Sequence, residues 1–355
     1  MSTLALPGPS SAPATVFTLA SAQEASAPQE RRGIARDQVK LLVARPDGIT
    51  HHRFRDLADL LDPGDLVVIN TSATLPAALD GRRQDGRPTP IHVSTQLDDG
   101  QWAIELRRTD GLGPALNAAP GDHVVLPDDL VLHLTRPYPD PEADGSRLWL
   151  ARPRPPTSAA EYLRRHGRPI RYSHLTEPVP LHDLQNIYAN EVGSAEMASA
   201  GRPFTAELIV RLVRCGITIA PVVLHAGVSS PELHEPPTPE RYNVPEATAR
   251  LVSGARQAGR RVVAIGTTVV RALETAAEPD ATIRPRHGWT NLTLGPDRPA
   301  RIVTGLVTGL HAPEASHLLL LEAIAGPDLV RHAYDAALAN GYLWHEFGDS
   351  MLFLP

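Results

Sequence analysis

The stretch Arg261-Val262-Val263-Ala264-Ile265-Gly266-Thr267-Thr268-Val269-Val270-Arg271-Ala272-Leu273-Glu274 sets a β-branched run against a Gly-Thr-Thr turn and a helical continuation. β-branched residues favour a packed strand, and glycine permits the sharp turn after it. The pattern predicts a buried strand at Arg261–Ile265 that delivers a helix at Val269–Ala277. A helix N-terminus leaves backbone N–H groups unpaired, so Gly266, Thr267 and Thr268 are candidates to hold a ligand oxygen or carboxylate. Arg271 and Glu274 stand on one helix face. Two readings stay open there: contacts to a ligand, or a threonine cap with a surface ion pair.

Outward from this stretch, strands and helices alternate. A strand at Ile217–Leu224 follows an amphipathic helix at Phe204–Cys215, capped near Thr205 and ended at Gly216. Helices are expected at Pro245–Ala258, Leu318–Ala325 and Asp328–Asn340, and a strand at Ile302–Thr308. Nearer the N-terminus come strands at Val39–Ala44 and Leu66–Asn70, with the tight turn Asp62-Pro63-Gly64-Asp65 before the second. The apolar C-terminus, Phe347 to Pro355, reads as a strand docking back into the fold, where Asp349 either caps a turn or lines a pocket. This is an α/β pattern.

Between Ala78 and Ala151 the pattern changes to short alternating runs separated by Gly, Pro, Asp and Asn, which reads as a small antiparallel barrel or sandwich. The stretch Arg152–Pro156 is expected to be its exit linker. The resulting organisation is a disordered tail at 1–15, a main α/β domain from 16–77 and 152–355, and an inserted barrel at 78–151.

Composition narrows the function classes. With 42% hydrophobic and 21% charged residues the chain is of globular type, and no apolar run approaches the length of a membrane span. A single cysteine, Cys215, excludes an internal disulfide; it reads as an inert core thiol and fits a reducing, cytoplasmic setting. The net charge of −6 argues against a dedicated nucleic-acid binder. Locally the balance reverses: Arg152, Arg154, Arg164, Arg165, Arg168 and Arg171 face only Glu161, giving either a phosphate-binding strip or a solvated segment.

Polar residues gather where the expected strands end. His225, His311 and the Gly266–Thr268 turn follow three of them, and ligands of α/β sheets sit beyond such ends. His225 and His311 are therefore candidate proton carriers, with Thr268 beside them, although each His also suits a backbone hydrogen bond. The small-residue loop Gly193–Thr205 offers Glu196, Met197, Gly201 and Arg202 as substrate contacts, with Ser229 beyond the strand at Ile217–Leu224; a plain linker is the alternative. The 15 His show no zinc-type spacing, so no metal is expected. Phosphate-loop, dinucleotide and nucleophile-elbow motifs are absent.

Together these residues resemble the S-adenosylmethionine:tRNA ribosyltransferase-isomerases of queuosine biosynthesis. The resemblance runs from about Phe17 to Leu354. It is carried by Ala264–Glu274, Gly348-Asp349-Ser350-Met351-Leu352, Val223–Gly227, Ala200-Gly201 with Phe204-Thr205, Asp62–Asp65, Asn70-Thr71 with Leu75-Pro76-Ala77, and His311-Ala312-Pro313. It implies an α/β domain with an inserted β-barrel and no metal. It also implies that S-adenosylmethionine serves as ribosyl donor to 7-aminomethyl-7-deazaguanine in tRNA, with adenine and methionine released. On this reading Gly266, Thr267, Thr268, Arg271, Glu274 and Asp349 are expected to bind the donor, Arg271 or the helix N-terminus clamping its carboxylate.

The chain departs from the family pattern at three places. Ser199-Ala200-Gly201-Arg202-Pro203-Phe204-Thr205 carries Pro203 where the family's Thr-Ala-Gly-Leu-His-Phe-Thr segment has His. Thr71–Ala78 lacks both Arg of Asn-Thr-Arg-Val-(Ile/Leu)-Pro-Ala-Arg, and Val228-Ser229-Ser230 replaces Gly-Thr-Phe. Three outcomes stay open: the tRNA enzyme with a remodelled site, a S-adenosylmethionine-using enzyme with a small-molecule acceptor, or an inactive relative that only binds.

Overall fold

The computed structural model describes residues 12–111, 113–143, 146–229, 238–295 and 298–355. Nine strands build the main sheet, in the spatial order Arg286–Thr290 (β15), Glu240–Val244 (β13), Thr218–Leu224 (β12), Leu66–Asn70 (β3), Val262–Ile265 (β14), Gly305–Gly309 (β16), Ser350–Phe353 (β17), Lys40–Arg45 (β1) and Gly48–Arg53 (β2). β12, β3, β14 and β16 run parallel, so their carboxyl ends share one edge. β13 and β17 flank that block in the antiparallel sense.

Side chains alternate across the sheet as strand geometry requires. Leu66, Val68, Val262 and Ala264 face one core, and Val67, Ile69, Val263 and Ile265 face the other. Glu246–Gln257 (α4), Thr267–Ala276 (α5), His317–Ala325 (α6) and Pro327–Ala339 (α7) cover the first face. Leu57–Leu60 (α1) and Ala206–Arg214 (α3) cover the second. Thr205 caps α3 by accepting from the Leu208 N–H at 3.1 Å, as its sequence position predicts. Cys215 closes that helix and packs half-buried against the second core.

A second unit is a closed antiparallel barrel of Ala78–Arg83 (β5), Pro88–Gln96 (β6), Trp102–Leu106 (β7), His123–Val125 (β8), Val131–Tyr138 (β9) and Leu148–Arg154 (β10). Closure removes its edges. Ala159–His166 (α2) packs on β5 and β6 and adds Ala159, Tyr162 and Leu163 to the barrel core. A short parallel pair, Ser72–Thr74 (β4) with Glu191–Ser194 (β11), joins the two units. The barrel thus differs from a sandwich, and β10 continues through Arg154, so the start of the expected exit linker is a strand paired with β9.

Four further differences have local causes. The 1–11 part of the expected tail lies outside the described residues, but Thr15 is buried, and its N–H and hydroxyl both meet Glu322 at 2.8 Å. α5 begins at Thr267, two residues earlier than expected, because Gly266 at φ +92° turns the chain at once. β16 begins at Gly305 rather than Ile302, because the N–H groups of Arg301, Ile302 and Val303 donate to Glu274 at 2.8–2.9 Å instead of to a strand. β13 and β15, the outer antiparallel strands, lack a strong apolar alternation and were not foreseen.

Glu274 is 2% exposed, so its carboxyl oxygens are satisfied by these three backbone donors rather than by water. Glu274→Ala is expected to lower unfolding free energy by about 3 kcal/mol, the cost of orphaning buried donors. Urea unfolding measures it; a change within experimental scatter would contradict this role.

Candidate active site

The carboxyl ends of the parallel strands share one edge, but none of His225, Gly266–Thr268 and His311 lines the cleft described below. Asn70, at the end of β3, is 1% exposed and fastens three elements with one carboxamide. Its Nδ2 donates to Leu224 O at 2.9 Å and to Thr268 Oγ1 at 3.1 Å, and its Oδ1 accepts from Leu224 N at 3.0 Å and Ser72 N at 3.1 Å. The ends of β12 and β3 and the start of α5 are thereby held at one point. Thr267 and Thr268 form the first turn of α5, whose N–H groups have no intrahelical acceptor. Gly266 has room for no bulky neighbour: a Cβ there would lie 3.3 Å from Ala200 Cβ.

A cleft opens between the main domain and the barrel, lined by polar and apolar side chains of both. Arg271, Glu240, Ser229 and His317 line it from the main domain, and Arg147 from the barrel. Arg271 is bound in place. Its Nε donates to Leu292 O at 3.1 Å, its Nη2 to Thr290 O at 3.4 Å, and its Nη1 pairs with Glu240. The alternative reading of an Arg271–Glu274 surface pair is therefore not met, since Arg271 pairs with Glu240 at the cleft wall and Glu274 holds the 301–303 backbone. Arg147 Nη1 meets Glu105 at 2.8 Å and its Nη2 donates to Val228 O at 3.3 Å, so the barrel is tied to the loop after β12. Burial alone would raise Glu105, but His92, Arg147 and Arg107 outweigh it and hold its pKa at about 2.

The histidines occupy different surroundings. His225 lies in a separate hollow between barrel and main domain, with Gly193 and Arg241. Its Nδ1 meets Ser72 Oγ at 2.7 Å, and Ser72 Oγ meets Ser194 Oγ at 2.6 Å. Burial, helped by the Arg241 charge, pulls its pKa down to about 4. His311 Nε2 meets Thr308 Oγ1 at 2.9 Å, and its ring stacks on His317 at 4.6 Å with 2° between planes. Burial pushes His311 well below its ordinary value, and burial followed by the Arg271 charge brings His317 to about 4. Glu196 moves the other way. Burial, then the Glu346 and Glu105 charges, raise it to about 7 despite two bonds from Ser229, at 3.0 Å from the N–H and 2.6 Å from the hydroxyl.

Several residues with functional character turn out to hold the scaffold. Glu274 is committed to the 301–303 backbone, as above. Asp349 accepts from Lys40 N at 2.7 Å and Leu343 N at 2.9 Å, so it caps backbone rather than lining the cleft. Arg202 is fully buried, bound to Glu30, Gln29 and Asp183 O and stacked on Phe347. Gly201 is small because Tyr188 fills the space: a Cβ would fall 2.0 Å from its hydroxyl. Met197 packs with Leu184 and Phe347 in an apolar cluster. Ser230 lies outside the described residues. Conversely Arg147, Glu240 and His317 line the cleft without a sequence signal, because each reaches it from an element remote in sequence.

The comparisons with known proteins agree with this architecture. The sequence model of the family described as "Queuosine biosynthesis protein" matches residues 14–353. A Symbiobacterium thermophilum protein named S-adenosylmethionine:tRNA ribosyltransferase-isomerase is 36% identical over 90% of this chain and 94% of its own. A Thermus thermophilus protein of the same name is 34% identical over 90% of this chain and 93% of its own. The crystal structure of S-adenosylmethionine tRNA ribosyltransferase from Thermotoga maritima superposes with a TM-score of 0.53 at 29% identity, covering 96% of this chain and 99% of that one. The fold is thus that of an enzyme with an α/β domain and a β-barrel. The chain belongs to the queuosine biosynthesis protein family.

Two predictions follow from the geometry. His225 and His317, at about 4 when folded against 6.5 ordinarily, refuse protons that the unfolded chain accepts. They stabilise fully above pH 6.5, and that contribution falls as pH drops toward 4. Glu196 acts in the opposite sense, so the comparison is between wild type and His225→Gln. The melting temperature of the variant should fall less steeply over this range; parallel curves would contradict the assignment. Separately, Gly193→Ala places a Cβ 2.5 Å from the His225 ring and should lower the melting temperature by several degrees, whereas an unchanged value would show that the ring is free to move.

Proposed function

We propose that this chain transfers and isomerises the ribosyl group of S-adenosylmethionine onto 7-aminomethyl-7-deazaguanine in tRNA, giving epoxyqueuosine with release of adenine and methionine. One observation carries the reading: a cleft walled by both units and lined by Arg147, Glu240, Arg271 and His317, in a chain that matches the family from 14 to 353.

The reaction needs a base for the C5′ proton acidified by the adjacent sulfonium. His317 lines the cleft, and with its pKa near 4 it is neutral at pH 7 and able to accept a proton. Its stacked partner His311, fixed by Thr308, keeps the ring in position. The acceptor amine must lose a proton as it attacks. Glu196, raised to about 7 and bonded to the cleft residue Ser229, suits that task. The methionine carboxylate suits the α5 N-terminus at Thr267 and Thr268. Arg271, already paired with Glu240, shapes the wall and contributes positive potential rather than a free clamp.

The tRNA fits the basic strip. Arg152, Arg154, Arg164, Arg165, Arg168 and Arg171 are all exposed on or beside β10 and α2, although Arg168 also pairs with Asp80 at 2.7 Å. A small-molecule acceptor is the second reading, favoured by the missing Arg pair in Thr71–Ala78 and by Pro203 in place of the family's His.

The test is incubation with S-adenosylmethionine, with and without precursor-bearing tRNA, followed by mass spectrometry. Release of adenine and methionine with a mass gain on the tRNA supports the reading. Donor binding without tRNA modification moves the weight to the small-molecule acceptor. Two variant comparisons accompany it. Arg271→Ala, which dismantles the Glu240 pair at the wall, should weaken donor binding more than His311→Ala; equal titration curves would sink that ranking. Replacing Arg164 and Arg165 by Ala should lower the salt dependence of tRNA binding by about one unit of slope per lost phosphate contact. An unchanged slope would remove the strip from the interface.

A further inference from the structure

We infer that His174, His345 and Glu346 form a binding site for a divalent first-row transition ion. The inference does not rest on the reaction assigned above. His174 belongs to the segment after α2, while His345 and Glu346 belong to the turn before β17, so two loops remote in sequence meet here. One ligand atom from each of the three residues lies within 4.8 Å of the others. The group combines two imidazoles with one carboxylate, a donor set that suits Zn²⁺ and its neighbours and leaves a coordination position open.

The atoms that face each other lack other partners. His174 Nε2 and Glu346 Oε2 are 3.0 Å apart, yet neither makes a hydrogen bond of acceptable geometry within the described residues. The His174 side chain is only 9% exposed, so water does not readily satisfy it. A buried polar atom left in this state is costly, and an ion between the two would satisfy both. Ligands about 2.1 Å from a tetrahedral ion stand roughly 3.4 Å apart, close to the spacing present. The His345 ring stacks on His174 at 4.4 Å, and its Nε2 meets Glu24 Oε1 at 3.2 Å, which puts a second carboxylate at the edge of the group. Second carboxylates of this kind orient metal-bound imidazoles.

Glu346 also raises Glu196, which is bonded to the cleft residue Ser229, so an ion held by Glu346 would act on that carboxyl. Spacing arguments from sequence do not reveal such a site, because they look for ligands close together along one element.

The test uses the full chain stripped of metal with a chelator and titrated with Co²⁺, followed by visible d–d absorption, with Zn²⁺ as competitor. The expected result is one ion per chain, displaced by Zn²⁺. His345→Ala and Glu346→Gln should each weaken it about tenfold or more. His133→Ala, on the exposed side of the barrel, should leave it unchanged. Circular dichroism reports folding, and the isosteric Glu346→Gln decides the matter if His345→Ala misfolds. A spectrum no different from aqueous Co²⁺, or equal affinity in wild type and Glu346→Gln, would overturn the site and leave a His174–Glu346 ion pair only.

Discussion

The buried carboxamide of Asn70 is the contact on which the cleft depends. Parallel strands are held together along their length by backbone bonds, but nothing in that pattern fixes what happens beyond their ends. Asn70 does so by bonding at once to Leu224, Ser72 and Thr268. The three bonds to Leu224 and Ser72 are buried, where an unmade bond is expensive, and the one to Thr268 is partly so. The loop that carries His225, the strand that carries Ser72 and the helix that carries Arg271 consequently keep a common origin.

Around that point the molecule sorts its charges by purpose. Glu274, Asp349 and Arg202 are buried and saturated with partners, and they hold loops in place. Arg271, Glu240 and Arg147 are also paired, the last with Glu105 of the barrel, but these three line the cleft and give it a fixed polar wall. Glu196 and the His311–His317 stack are left with pKa values displaced toward their neutral forms. The neutral imidazole of His317, at the cleft wall, is the form that can accept a proton from carbon next to a positive sulfur.

The sequence made the centre of this fold legible because the decisive features are local. Val262–Ile265, Gly266 and the helix after it lie within one short stretch, and the alternation of the barrel strands is likewise visible along the chain. The site was only half legible. Ser229 and Arg271 were found and do line the cleft, since residues at strand ends and helix starts are marked by position. Arg202, Gly201, Met197, Asp349 and Glu274 have the right chemistry in the right loops, yet their partners (Glu30, Tyr188, Phe347, Lys40 and the 301–303 backbone) sit far away in sequence. Residue type shows what a side chain can bond, whereas only the tertiary structure shows that the bond has already been taken. Arg147, Glu240 and His317 escaped notice for the same reason, reached from the other side.

The central proposal is that S-adenosylmethionine occupies the cleft between the barrel and the main domain. A crystal structure of the full chain soaked with S-adenosylmethionine tests it most directly. The account predicts the sulfonium and ribose between Arg147, Arg271 and His317, with C5′ nearest the His317 ring and the carboxylate at Thr267 and Thr268. A ligand bound elsewhere, or one whose C5′ faces away from His317, would contradict it.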